Sequence, residues 1–230
     1  MPIRLHKELE KIKKQILALG AMVEERVRMA IKATETKDDE LCKEIRIRDL
    51  EIDEKEVEVE EECLKILALH QPVAVDLRFL VAVIKINNDL ERIGDEAVNV
   101  AKRVHRIVQG EKLSLTMDYS VMGEKAASML KWSLDALVNL DVELALTVLK
   151  VDDEVDKIHM QNYEYFKQIL QKQPDHVDSL INYLNISRHL ERIADHATNI
   201  AQEVVFLIEG EIVRHGKWRE KPGVPVGRSR

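Results

Sequence analysis

The chain says the same thing twice. Leu90-Glu91-Arg92-Ile93, Asp95, Ala97, Asn99 and Ala101 return one hundred residues later as Leu190-Glu191-Arg192-Ile193, Asp195, Ala197, Asn199 and Ala201, so eight of twelve aligned positions are identical. The punctuation is duplicated as well. Gln71-Pro72 is matched by Gln173-Pro174, and Gly110 by Gly210. A duplication limits the chain to architectures built from two like units, each able to bury its own apolar face.

Prolines stand only at positions 2, 72, 174, 222 and 225, which leaves long stretches free of the strongest helix breaker. Only 4% of residues are aromatic and 33% are charged, a composition suited to long amphipathic helices. Apolar residues spaced three and four apart from Leu80 through Val108 mark a single core stripe. These signals predict an all-α chain of six long helices, over 3–34, 39–69, 73–109, 117–139, 142–171 and 177–209. Gly110 and Gly210 follow the third and sixth as left-handed caps, and an Asp at 38 or 39 opens the second. Short connections then give two tandem three-helix bundles, 1–110 and 111–212, followed by a mobile basic tail over 213–230.

Net charge is −7, but residues 211–230 carry six Lys/Arg against two Glu, so the remainder is more acidic still, at −11. An acidic body repels nucleic acid. Cys42 and Cys63 fall on one predicted helix about 31 Å apart, beyond disulfide reach. Charged and apolar residues alternate over positions 1–8, unlike the apolar core of a signal peptide, and no apolar run approaches the ~18 residues of a membrane span. The expected location is the cytoplasm.

Both copies of the repeat keep an acid-x-x-x-acid pair, Glu91 with Asp95 and Glu191 with Asp195. On a helix such residues sit about 40° and about 6 Å apart, so their carboxylates are neighbours. They flank the core stripe, at about 100° and 140° from Leu90. Asp49/Asp53 and Asp152/Asp156 form a second pair in each half, offset by 103 residues. Antiparallel packing would bring Asp49/Asp53 near Glu91/Asp95, and Asp152/Asp156 near Glu191/Asp195. A lone pair of this kind is most often a solvated acidic face. Duplication shifts the balance, because like charges at i, i+4 cost roughly 0.2–0.5 kcal/mol per pair and four pairs call for compensation by a cation or a base. Carboxylates without Cys or convergent His favour hard or borderline ions such as Mg, Ca, Mn, Fe or Zn.

Other chemistry is poorly represented. None of the eight histidines has a Glu three residues before it, which removes the ferritin-like di-iron pattern. His159, three residues after Asp156, reads as a helix surface residue, and Trp132, Tyr163, Tyr165 and Phe166 read as packing. No phosphate-cradling glycine loop or nucleophile elbow appears. A regulatory binding protein, a carboxylate-bridged metal enzyme and a metal-free helical adaptor all remain compatible with the acids. The missing Glu-x-x-His pairs weigh against the enzyme.

The run from Gln71-Pro72-Val73-Ala74-Val75-Asp76-Leu77-Arg78 through Asn87-Asn88-Asp89-Leu90-Glu91-Arg92-Ile93-Gly94-Asp95, with its second copy at Leu190–Ile200, resembles the PhoU family of phosphate-transport regulators. The resemblance spans about residues 1–212. It implies two three-helix bundles and a cytoplasmic negative regulator of phosphate uptake, commonly a homodimer. Such a protein would act between the phosphate ABC transporter and a sensor histidine kinase, with no catalytic residue. It also implies that Glu91, Asp95, Glu191, Asp195, Asp49, Asp53, Asp152 and Asp156 bind divalent or trivalent metal ions, including multinuclear iron or zinc. Gly94/Ala194 and Glu96/His196 differ between the copies, so the two clusters are expected to differ.

Overall fold

A computed structural model describes residues 2–110 and 118–213. Seven α-helices follow one another: α1 (Pro2–Thr36), α2 (Asp39–Ile47), α3 (Leu50–His70), α4 (Ala74–Gln109), α5 (Ser120–Asn139), α6 (Val142–Lys172) and α7 (Val177–Glu209). A 3₁₀ turn, Pro174–His176, leads into α7. Five of the six predicted rods are present. The sixth is divided: the helix expected over 39–69 breaks at Arg48 and Asp49 into α2 and α3. The basic tail beyond Val213 lies outside the described residues, as does the predicted start of the fourth rod at 117.

Local chemistry accounts for most boundaries. Asp38 Oδ1 accepts the Leu41 N–H at 3.1 Å and Asp141 Oδ1 accepts that of Leu144 at 3.0 Å, both N-caps. Gly210 closes α7 at φ +76°, and any Cβ there would strike the Arg78 guanidinium. Gly110 behaves differently from its twin. Its backbone is extended (φ −88°, ψ −170°), so α4 ends without the left-handed cap expected of it.

Within each half, successive long helices reverse direction across short connections, so the first and third run the same way. α4 touches α1, α2 and α3 on one side, α7 touches α5 and α6, and the α4–α7 contact joining the halves is the most extensive of all. One core therefore runs through both halves, from Ile12 and Leu19 on α1 to Val204 on α7. This double duty widens the buried surface of α4 beyond a single stripe. Ile86, Asn87, Glu96 and Val100 are buried in addition to Leu80, Val83, Leu90, Ile93, Ala97 and Ala101. No described helix is long and apolar enough to cross a membrane.

Candidate metal centres on the paired helices

In the first half, the position of the acids follows from one close contact. Gly94 lies between Glu91 and Asp95, and a Cβ placed on it would come within 3.1 Å of Ile52 Cδ1, between Asp49 and Asp53. The missing methyl lets α3 approach α4 at the level of all four acids. In the second half the corresponding residues are Ala194 and Val155, both fully buried. A methyl gained on one helix is offset by a methylene lost on the other, a change that conserves volume.

Charge interactions show which acids are brought together. Burial raises the Asp49 carboxyl, and Asp53 and Asp95 add to that rise. Glu91 is raised by burial, then by Asp95, with Asp53 and Glu56 contributing despite Arg92. All four expected residues of the first half therefore share one region. The second half shows a larger effect. Asp152 is pushed up to about 7 by burial, then by Asp195 and Asp156. Asp195 is pushed up to about 6 by burial, then by Glu191 and Asp156, against the opposing pull of His196 and Arg192. Glu191 and Asp156 also rise, burial being the larger cause in each. The acids are not as open to solvent as their wheel positions suggest: Asp49, Glu91, Asp152 and Glu191 are only partly exposed.

The donor chemistry fits a hard or borderline cation. Asp152 Oδ1 is buried with no aligned hydrogen-bond partner, and so is the nearby Thr198 Oγ1. The Thr198 hydroxyl lowers the Asp152 carboxyl only weakly against the surrounding carboxylates, and a poorly satisfied oxygen on so crowded a carboxyl is what a cation would relieve. Among the described residues, however, no three His, Cys, Asp or Glu side chains converge closely enough to hold an ion as they stand. Asp53, Asp95, Asp156 and Asp195 are exposed, so their side chains have room to turn.

Several residues at these sites escaped the sequence reading. Arg26, 1% exposed on α1, donates to Ile45 O at 3.3 Å and Arg48 O at 3.2 Å, and faces Glu51 Oε2 at 3.5 Å. It satisfies the carbonyls freed where α2 ends, stabilising the break that starts α3 at Asp49. Glu56 joins the first cluster, its side chain and carbonyl both accepting from the buried Asn87 amide at 3.1 and 2.9 Å. At the offsets of 103 and 100 residues, its equivalents are His159 and Ser187, themselves 2.9 Å apart. His159 is thus partly buried, correcting its reading as a surface residue, and burial lowers its pKa. Trp132 and Phe166 do pack inward, whereas Tyr163 and Tyr165 are 39% and 44% exposed.

Between the clusters, the α4–α7 contact holds a charged ladder. Glu96, 4% exposed, meets His189 Nδ1 at 2.6 Å and Arg192 at 3.0 Å. Asp89 meets His196 Nδ1 at 2.8 Å and Asn199 at 3.1 Å, and Lys85 meets Glu203 at 3.0 Å. Although burial pushes Glu96 up, His189, Arg192 and His196 hold it below the usual range. The repeat relates the members of the ladder, Asp89 to His189 and Glu96 to His196, but not which of them meet.

These features define a duplicated helical protein with an acidic cluster on each of two paired helices, joined into one body. The chain belongs to the PhoU family: the PhoU domain matches it twice, at residues 16–104 and 119–204. It is 36% identical to the phosphate-specific transport system accessory protein PhoU homolog of Pseudomonas aeruginosa, over 90% of this chain and 86% of that one. Identity to the homolog of Aquifex aeolicus is 35%, over 95% and 99%. The crystal structure of PhoU from P. aeruginosa superimposes with a TM-score of 0.84 at 34% identity, covering 90% of this chain and 99% of that one. The phosphate transport system regulatory protein PhoU from Streptococcus pneumoniae gives 0.81 at 31%, covering 91% and 99%.

Proposed function

We propose that this chain is a cytoplasmic negative regulator of phosphate uptake and of the phosphate regulon, coupling the phosphate ABC transporter to a sensor histidine kinase and working as a homodimer. Support comes from its family and from relatives named as accessory proteins of phosphate-specific transport. Within this reading the acidic clusters hold divalent or trivalent metal, multinuclear iron or zinc among the candidates. Glu91, Asp95, Asp49 and Asp53 would hold one set, and Glu191, Asp195, Asp152 and Asp156 the other. The observation that carries the metal reading is Asp152, raised to about 7 by burial and by Asp195 and Asp156, with a buried oxygen that has no well-aligned hydrogen bond. The reading assigns no catalytic residue.

Two measurements test it. Deleting the gene in its host is expected to derepress phosphate-starvation genes in rich phosphate, and unchanged expression would count against regulation. Elemental analysis of protein purified without chelator is expected to find metal that Glu91→Ala/Glu191→Ala loses. Protein that stays empty under every loading condition leaves the metal-free adaptor as the better reading.

A further inference from the structure

α3 has two apolar faces. One, made of Ile52, Val59, Cys63 and Ile66, is buried in the first half. The other is formed by Leu50, Val57 and Leu64, which are 61%, 50% and 53% exposed. Seven residues make nearly two turns, so these three side chains line up over about 21 Å. Glu54 and Glu61 interleave with them, within about 40° of Leu50 on the helix. Both are exposed and carry no ion pair among the described residues. The helix as a whole has eight Asp/Glu against two Lys, and those two lysines pair with Glu58 and Glu62.

The second half serves as an internal control. At the offset of 103, Val155, Phe166 and Ile169 keep the buried line, but Asp153, Met160 and Lys167 replace Leu50, Val57 and Leu64. Lys157 replaces Glu54. The second half keeps three of the four inner positions, with Asn162 in place of Val59, and none of the outer leucines or valine, so the fold depends on the inner line and not on the outer one. Single exposed apolar residues are ordinary, but three at heptad spacing form a seam. The glutamates in that seam would repel both a second copy of α3 and an anionic lipid surface. They attract a helix whose apolar line is flanked by Lys or Arg.

We propose that the outer face of α3 docks a basic amphipathic helix of a partner protein, with Val57, Leu64 and Leu50 as the apolar seam and Glu54 and Glu61 as its charged guides. The inference goes beyond the phosphate-transport reading, which names no surface.

The test uses the full chain, its variants Val57→Ser/Leu64→Ser and Glu54→Lys/Glu61→Lys, and two labelled peptides. One peptide repeats Leu in heptads among Lys, and the other carries Glu for Lys. All four substituted positions are solvent-exposed, and helicity and Tm check that each variant folds. The Lys peptide is expected to bind the parent chain and to weaken tenfold or more in both variants, while the Glu peptide does not bind. Equal binding to all three chains would reduce the effect to diffuse attraction by an acidic protein and overturn the proposal, as would no binding to the parent. Val57- and Leu64-dependent binding of anionic vesicles would also overturn it. Should the seam variant fail to fold, the charge-reversed variant decides alone, since it must reverse the preference between the peptides. Association with the host's phosphate transporter, assayed on the same chains, is a separate readout: its absence from the parent chain sinks the transport reading and leaves the peptide result standing.

Discussion

Gly94 and Ile52 set how closely α3 can lie on α4, and therefore how near the first four acids come to one another. Gly94→Ala gains up to about 1 kcal/mol of helix propensity but presses on Ile52, and overpacking costs about 1–3 kcal/mol. The expected result is a net loss of about 1 kcal/mol, or about 2–4 °C in Tm. Adding Ile52→Val reproduces the Ala194/Val155 arrangement of the second half and should recover the loss. A double variant melting no higher than Gly94→Ala would remove this account of the contact. Asp152 calls for a pH argument. Its folded pKa of about 7 lies above the ordinary 3.8 of an aspartate, so the folded state binds the extra proton and metal-free protein loses stability as pH rises from about 4 through 7. Asp152→Asn should remove much of that slope and stabilise the chelated protein at pH 8 by roughly 1–2 kcal/mol, discounted for solvent and for sharing charge with Asp195. Urea unfolding between pH 5 and 8 measures it, and parallel curves for the two proteins would refute it.

At the scale of elements, the halves are not copies. α6 runs unbroken past Asp152 and Asp156, whereas α2 and α3 part at Arg48 and Asp49. Nothing in Arg46-Ile47-Arg48-Asp49-Leu50 announces a break, because it holds neither Gly nor Pro. Arg26, more than twenty residues from Arg48 in sequence, braces the break, and a tertiary contact leaves no local signal. Five of the rods and the pairing of acids were legible because periodicity, prolines and the repeat are all local or internal features. Glu96 as a buried group and Glu56 as a cluster member were not, since each depends on which helix packs against it. Arg26→Met should leave the Ile45 carbonyl without its side-chain donor and Arg48 O with only the Glu51 N–H, at a cost of about 1–3 kcal/mol. On the proposed metal reading it also empties the first site and spares the second, which elemental analysis reads as metal per chain falling to about the level of Glu91→Ala. Arg26→Lys, keeping one donor, should fall between. Full metal content in Arg26→Met would show that the break does not position Asp49.

The whole molecule depends on how one repeat meets the other. α4 and α7 cross with a pseudo-twofold relation, so position 89 of one half faces position 196 of the other, and 96 faces 189. Positions 89 and 189 are equivalent in the repeat, as are 96 and 196, so each contact joins the first position of one half to the second position of the other. Here α4 keeps acids at both and α7 histidines at both, so the two halves are complementary to each other rather than to themselves. Both helices also bury many apolar side chains, and the ladder selects which faces meet. Glu96→His sets an imidazole against His189 and Arg192, and His189→Glu sets two carboxylates together, each in a buried site. Either change alone should cost about 3–5 kcal/mol, the usual penalty for an uncompensated buried charge. The exchange made in both positions restores one acid–imidazole pair but turns Arg192 toward an imidazole, so about half the summed loss should return. Urea unfolding of the four proteins gives the coupling energy directly. Costs that simply add would mean the ladder rides on an apolar contact that already determines the pairing.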